Sequence, residues 1–162
     1  MIQPRRDILV EPEAATARGR LFPRQDPRSG VLSLESGTAQ VLPNSIYAPR
    51  RIVLDLDARG LIARVDLLVP SSAWRRGLHW SWDERARARD LRVCRGPINA
   101  RISPPTVVVR SSADGRQIEV AISGDHYIDT VIGLSEGCQA VLAGSRLVGF
   151  CVRLDDSGRI GG

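Results

Sequence analysis

The segment from Arg51 to Pro70, R-I-V-L-D-L-D-A-R-G-L-I-A-R-V-D-L-L-V-P, constrains the fold most, because apolar and polar residues alternate in two arms around a short polar break. A period of two belongs to a strand with one buried face. In the first arm Ile52, Leu54 and Leu56 share a face opposite Val53, Asp55 and Asp57. In the second, Leu61, Ala63, Val65, Leu67 and Val69 oppose Ile62, Arg64, Asp66 and Leu68. Asp57-Ala58-Arg59-Gly60 joins the arms with an Asp that can accept from the backbone at the first turn position and a Gly that tolerates positive φ at the last. The segment predicts a β-hairpin in the core of a sheet protein and carries no chemistry of its own.

The same pattern recurs. Residues 105–111 and 117–122 are β-rich runs around Ala113-Asp114-Gly115-Arg116, an Asp-Gly hairpin signal. Val31–Leu34, Ala39–Leu42, Tyr127–Ile132 and Leu147–Leu154 read as further strands. Residues 1–30, with Pro4, Pro12, Pro23 and Pro27 among charged residues, read as an extended N-terminal arm with one edge strand. Residues 31–162 then form a single β-domain. Within it 34–42 resembles 134–142 and 52–62 resembles 150–160, in the same order, so two similar halves, about 31–70 and 127–162, stand beside chance reuse of a turn. Ser81-Trp82-Asp83-Glu84 has the form of a capping box, and acids followed by arginines suit the helix dipole, which predicts one short helix near 82–89 and a strand through Leu91 and Val93. The fold expected is mainly β: an antiparallel sandwich or partly open barrel of roughly eight to ten short strands.

A chain of 162 residues can bury a core without staples. Cys94, Cys138 and Cys151 are an odd number without C-x-x-C spacing, which predicts free, mostly buried thiols and neither a disulfide framework nor a zinc site. No apolar run has the length of a membrane span or of a signal peptide, so a soluble, cytoplasmic protein is expected. Every one of the 23 basic residues is Arg, which genome base composition alone can produce. Their placement is more informative. Arginines 75, 76, 85, 87, 89, 92 and 95 face only Asp83, Glu84 and Asp90 in the same stretch, which carries most of the net charge of +5.

All three tryptophans fall in that stretch as well. Indole faces stack bases and guanidinium groups pair with phosphate, so Trp74, Arg75, Arg76, His79, Trp80, Arg85, Arg87 and Arg89 are the candidate binding residues. The competing reading has the tryptophans plugging a β-core while the arginines are solvated. Other chemistry is poorly supplied. Asp55-Leu56-Asp57-Ala58-Arg59-Gly60 fails as a calcium loop at Arg59, and His79 and His126 are too far apart in sequence to suggest a metal pair. Asp125, His126 and Cys94 are the remaining ingredients of a small hydrolase or thiol enzyme, but no nucleophile-elbow motif accompanies them. The function expected is a non-enzymatic interaction module in a small soluble β-domain of bacterial type, without cofactor or metal. Its partner would be a protein or an anionic molecule. Single-stranded nucleic acid bound by 74–95 is the first alternative, and the enzyme the second. An exposed sheet edge would allow a homodimer.

Overall fold

The computed structural model describes residues 7–26, 28–94, 99–101, 107–122 and 127–154. Its strands are, in chain order, β1 Val10–Ala14, β2 Phe22–Gln25, β3 Leu32–Glu35, β4 Asn44–Ala48, β5 Ile52–Leu56, β6 Ile62–Leu67 and β7 Arg75–Arg76. They continue as β8 Arg87–Val93, β9 Ala100–Arg101, β10 Val108–Ser111, β11 Gln117–Ala121, β12 Thr130–Ser135, β13 Cys138–Ala143 and β14 Arg146–Arg153. Two mixed sheets pack face to face as a sandwich, with no closed barrel. The larger has the order β1-β8-β12-β13-β14-β11-β10-β7 and the smaller β2-β3-β6-β5-β4-β9. Most pairs are antiparallel, as expected, but β7 with β10, β8 with β12 and β4 with β9 run parallel. Fourteen strands among the described residues exceed the eight to ten expected, because several are two- to five-residue pieces with no periodic run to announce them.

The hairpin of β5 and β6 lies in the middle of the smaller sheet. Its turn works as the residues dictate: Asp57 Oδ1 accepts from the Arg59 and Leu61 N–H groups, each at 2.9 Å, and Gly60 takes φ of 88°. Ile52, Leu54 and Leu56 point into the core. One face assignment changes. Register shifts after Asp55, so that Leu56 pairs with Ile62, and Ala63 becomes the extra residue of a bulge. Ile62, not Leu61 or Ala63, therefore joins the main core, and strict alternation resumes only at Val65.

That core is one cluster running from Ile8 to Val152 and drawing on both sheets. The N-terminal segment belongs to it and holds two strands, one at an edge of each sheet. Pro12 in β1 and Pro23 in β2 fit there because an edge strand has one side on which a missing N–H costs nothing. Arg92 of β8 ties β1 down through Glu11 at 2.7 Å and Glu13 at 2.5 Å. Asp90 is buried where it accepts from the Thr16 N–H at 3.1 Å and the Thr16 hydroxyl at 2.5 Å, fixing the chain as it leaves β1.

Two further expectations are corrected. Residues 82–89 form no helix: a turn at Glu84–Arg85 leads straight into β8, and apart from two 3-10 turns, Ala17–Gly19 and Ser71–Ala73, the described residues are not helical. Asp83 does cap, but it caps a turn, its Oδ1 accepting from the Arg85 N–H at 2.8 Å and its carbonyl from Ala86 at 3.3 Å. Residues 39–42 are not a strand, and β4 starts at Asn44. The 34–42 and 134–142 segments thus differ, since 138–143 is a strand buried on both faces and its counterpart is irregular. Residues 155–160, the end of the second matched pair, lie outside the described residues.

Candidate binding surface

Residues 75–87 do not make one patch. β7, which contains Arg75 and Arg76, is the last strand at one edge of the larger sheet, whereas β8, which begins at Arg87, is second from the opposite edge. Six inter-strand steps separate them, about 29 Å at the usual spacing. The chain between, residues 77–86, crosses the outer face of the sheet as an extended strap. Its contacts follow the strand order. Gly77 N–H donates to Ser111 O of β10 at 3.0 Å, and the Trp80 N–H donates to the Glu119 carboxylate of β11. The Trp80 ring lies against Gly149 of β14, close enough that a Cβ there would sit 2.9 Å from its Cη2. Asp83 is held by Gln139 of β13, whose Oε1 accepts from the Asp83 N–H at 3.1 Å and whose Nε2 donates to the Asp83 carbonyl at 2.5 Å. Finally the Ala86 carbonyl passes over Gly133 of β12.

Sequence explains this path locally. Leu78, Trp80 and Trp82 alternate with His79, Ser81 and Asp83, and the structure leaves the first set half-buried and the second exposed. Trp80 and Trp82, with Ile128 and Val131, cover a second apolar cluster of Val141, Ala143, Val148 and Cys151 on the outer face. This is why β13 is buried on both sides. The Arg153 guanidinium stands 4.3 Å from the Trp82 ring centroid while pairing with Glu84 at 3.0 Å. Trp74 is elsewhere: it packs on the main core and donates from Nε1 to the Val69 carbonyl at 3.0 Å. All three indoles thus lie partly buried against the protein itself.

Arg75, Arg76, Arg85 and Arg87 are exposed and Arg89 is half-buried. His79 is exposed on the outer side of the strap. Arg95, Asp125 and His126 lie outside the described residues. Cys94 is half-buried, next to an Arg92 already engaged by two glutamates. Cys138 and Cys151 are free and fully buried. Burial pushes both thiols up, that of Cys151 to about 12 with the Glu119 charge as the smaller cause. Among the described residues no three His, Cys, Asp or Glu side chains gather as a metal site would require, and no helix is long and apolar enough to cross a membrane.

Glu119 and Gln139 were not singled out by sequence reasoning. Each is an isolated polar residue at an otherwise apolar strand position, Ile118-Glu119-Val120 and Cys138-Gln139-Ala140, and that is the signal they leave. A cleft of about 630 Å³ opens between β2 and the β10–β11 and β12–β13 turns, lined by Phe22, Asp114, Glu136, Arg153 and Leu154 among others. No protein-family model matches the chain, and no curated protein is similar to it.

Proposed function

We propose that the protein is a non-enzymatic binding module that docks an anionic protein surface through arginines at the two ends of the strap. One observation carries this reading. Arg75, Arg76, Arg85, Arg87 and Arg89 flank the strap and have no ion-pair partner among the described residues, unlike Arg20, Arg24, Arg64, Arg92 and Arg153, which each pair with a carboxylate. Arg18, Arg28, Arg50, Arg51, Arg59, Arg110 and Arg146 also lack one among the described residues, so it is the placement at the two strap ends that sets the five apart. An unpaired guanidinium on a sheet-anchored segment offers charge and five donors without first giving up an internal partner. The indoles bear on the choice of partner, because rings held against the protein's own sheet are not presented for base stacking. Self-association through a sheet edge is the weaker option: β7 and β9 have two residues each, and Pro12 and Pro23 interrupt the edge strands β1 and β2. We propose a cytoplasmic location, a reducing compartment that three free thiols would suit.

The test compares a labelled oligoglutamate with a single DNA strand of equal charge. The oligoglutamate is expected to bind at low salt at least as well as the DNA, with no tryptophan quenching, and Arg85→Ala with Arg87→Ala should flatten the salt dependence. Tighter DNA binding with quenching that Trp74→Ala or Trp80→Ala weakens would favour nucleic acid. Failure of both ligands to bind at low salt would overturn the reading.

A further inference from the structure

We propose that residues 77–86 are a latch that opens from the outer face of the larger sheet while the sandwich stays folded, giving the protein a second state in which the face bearing Glu119, Gln139 and Cys151 meets solvent. This inference is independent of the anionic-partner reading. It rests first on how the strap is held. Gly77 still belongs to the β7–β10 pairing, its N–H donating to the Ser111 carbonyl at 3.0 Å, but no backbone ladder joins residues 78–85 to the sheet; their polar attachments among the described residues are the Glu119 bond, the two Gln139 bonds and the exposed Arg153–Glu84 pair. The pairing of β11, β14 and β13 beneath uses none of these bonds.

What the strap covers points the same way. Glu119 and Gln139 are buried at 2% and 3% exposure, on a face that is otherwise Val141, Val148, Cys151 and Gly149. Closing over a carboxylate and a carboxamide removes their water and returns one backbone N–H to the first and two backbone bonds to the second. Opening rehydrates both, so the polar part of the contact comes close to balancing and closure depends on Trp80 and Trp82. Those rings remain half-buried, and their neighbours Gly77, His79, Ser81, Asp83, Glu84 and Arg85 are exposed. Segments with few buried apolar contacts and no ladder are the ones that open below the global unfolding free energy. The main core, by contrast, reaches both sheets without including a single strap residue.

Two buried thiols give the readout. Cys151 lies under the strap in the outer cluster, whereas Cys138 is in the main core between the sheets. The full-length protein is pulsed with iodoacetamide under native conditions and the labelled cysteine identified by peptide mass. Cys151 is expected to label at least tenfold faster than Cys138, and Gln139→Ala to raise the Cys151 rate several-fold further while leaving that of Cys138 nearly unchanged. Hydrogen exchange in the wild type supplies a reading free of substitutions: amides 78–86 should exchange well ahead of β13 and β14. Equal labelling of the two thiols, with strap amides exchanging only together with β13, would mean that the strap leaves only on global unfolding and would overturn the proposal.

Discussion

Leu54 and Asp55 are adjacent in β5 and have opposite fates. Leu54 is fully buried in the core, and Asp55 faces outward to accept from the Ser45 hydroxyl at 2.9 Å. Replacing Leu54 by Ala should cost about 2–5 kcal/mol, as large-to-small core changes do, while Asp55→Ala loses one half-exposed hydrogen bond worth about 1 kcal/mol or less. Denaturant midpoints of the two variants check this, and equal losses would mean that the faces are misassigned. Residues of this kind are legible in the sequence because a period of two needs only neighbours to be read. Ile62 was not, since the bulge at Ala63 is set by pairing with β5, a relation between strands that local alternation does not contain.

Among the elements, the hairpins of β5–β6 and β10–β11 were legible because each brings its own turn residues. The stretch 82–89 was misread as a helix for the opposite reason. Its capping-box residues are present, but Leu78-His79-Trp80-Ser81-Trp82 alternates with the period of a strand, and a sheet face ready to receive Trp80 and Trp82 outweighs a helix with a poor apolar stripe. Gly149 joins the two elements: a side chain there meets both the Val120 carbonyl of the neighbouring strand and the Trp80 ring. Gly149→Ala should therefore destabilise by about 1–3 kcal/mol, the usual range for overpacking, and shift tryptophan emission to the red as Trp80 leaves its seat. An unchanged melting temperature with unchanged emission would contradict the placement of the strap.

For the whole molecule, the sandwich class followed from strand patterning, whereas the candidate site did not, because charge clustering along a chain says nothing about where a sheet carries its ends. Trp74, Arg75 and Arg76 stay at the β7 edge, Arg85 and Arg87 arrive near the β8 edge, and the residues between are spent on the crossing. Eleven residue steps from Arg76 to Arg87 reach at most about 36–40 Å, enough to bridge the roughly 29 Å between those strands only if the chain is extended. The most direct measurement is a pulsed electron–electron distance between spin labels on genetically encoded keto residues at positions 76 and 87, which leaves the thiols untouched. A distribution centred at about 25–35 Å is the result expected of a strap crossing the sheet. A separation near one Debye length, about 8 Å, would show the arginines gathered in a single patch and would contradict it.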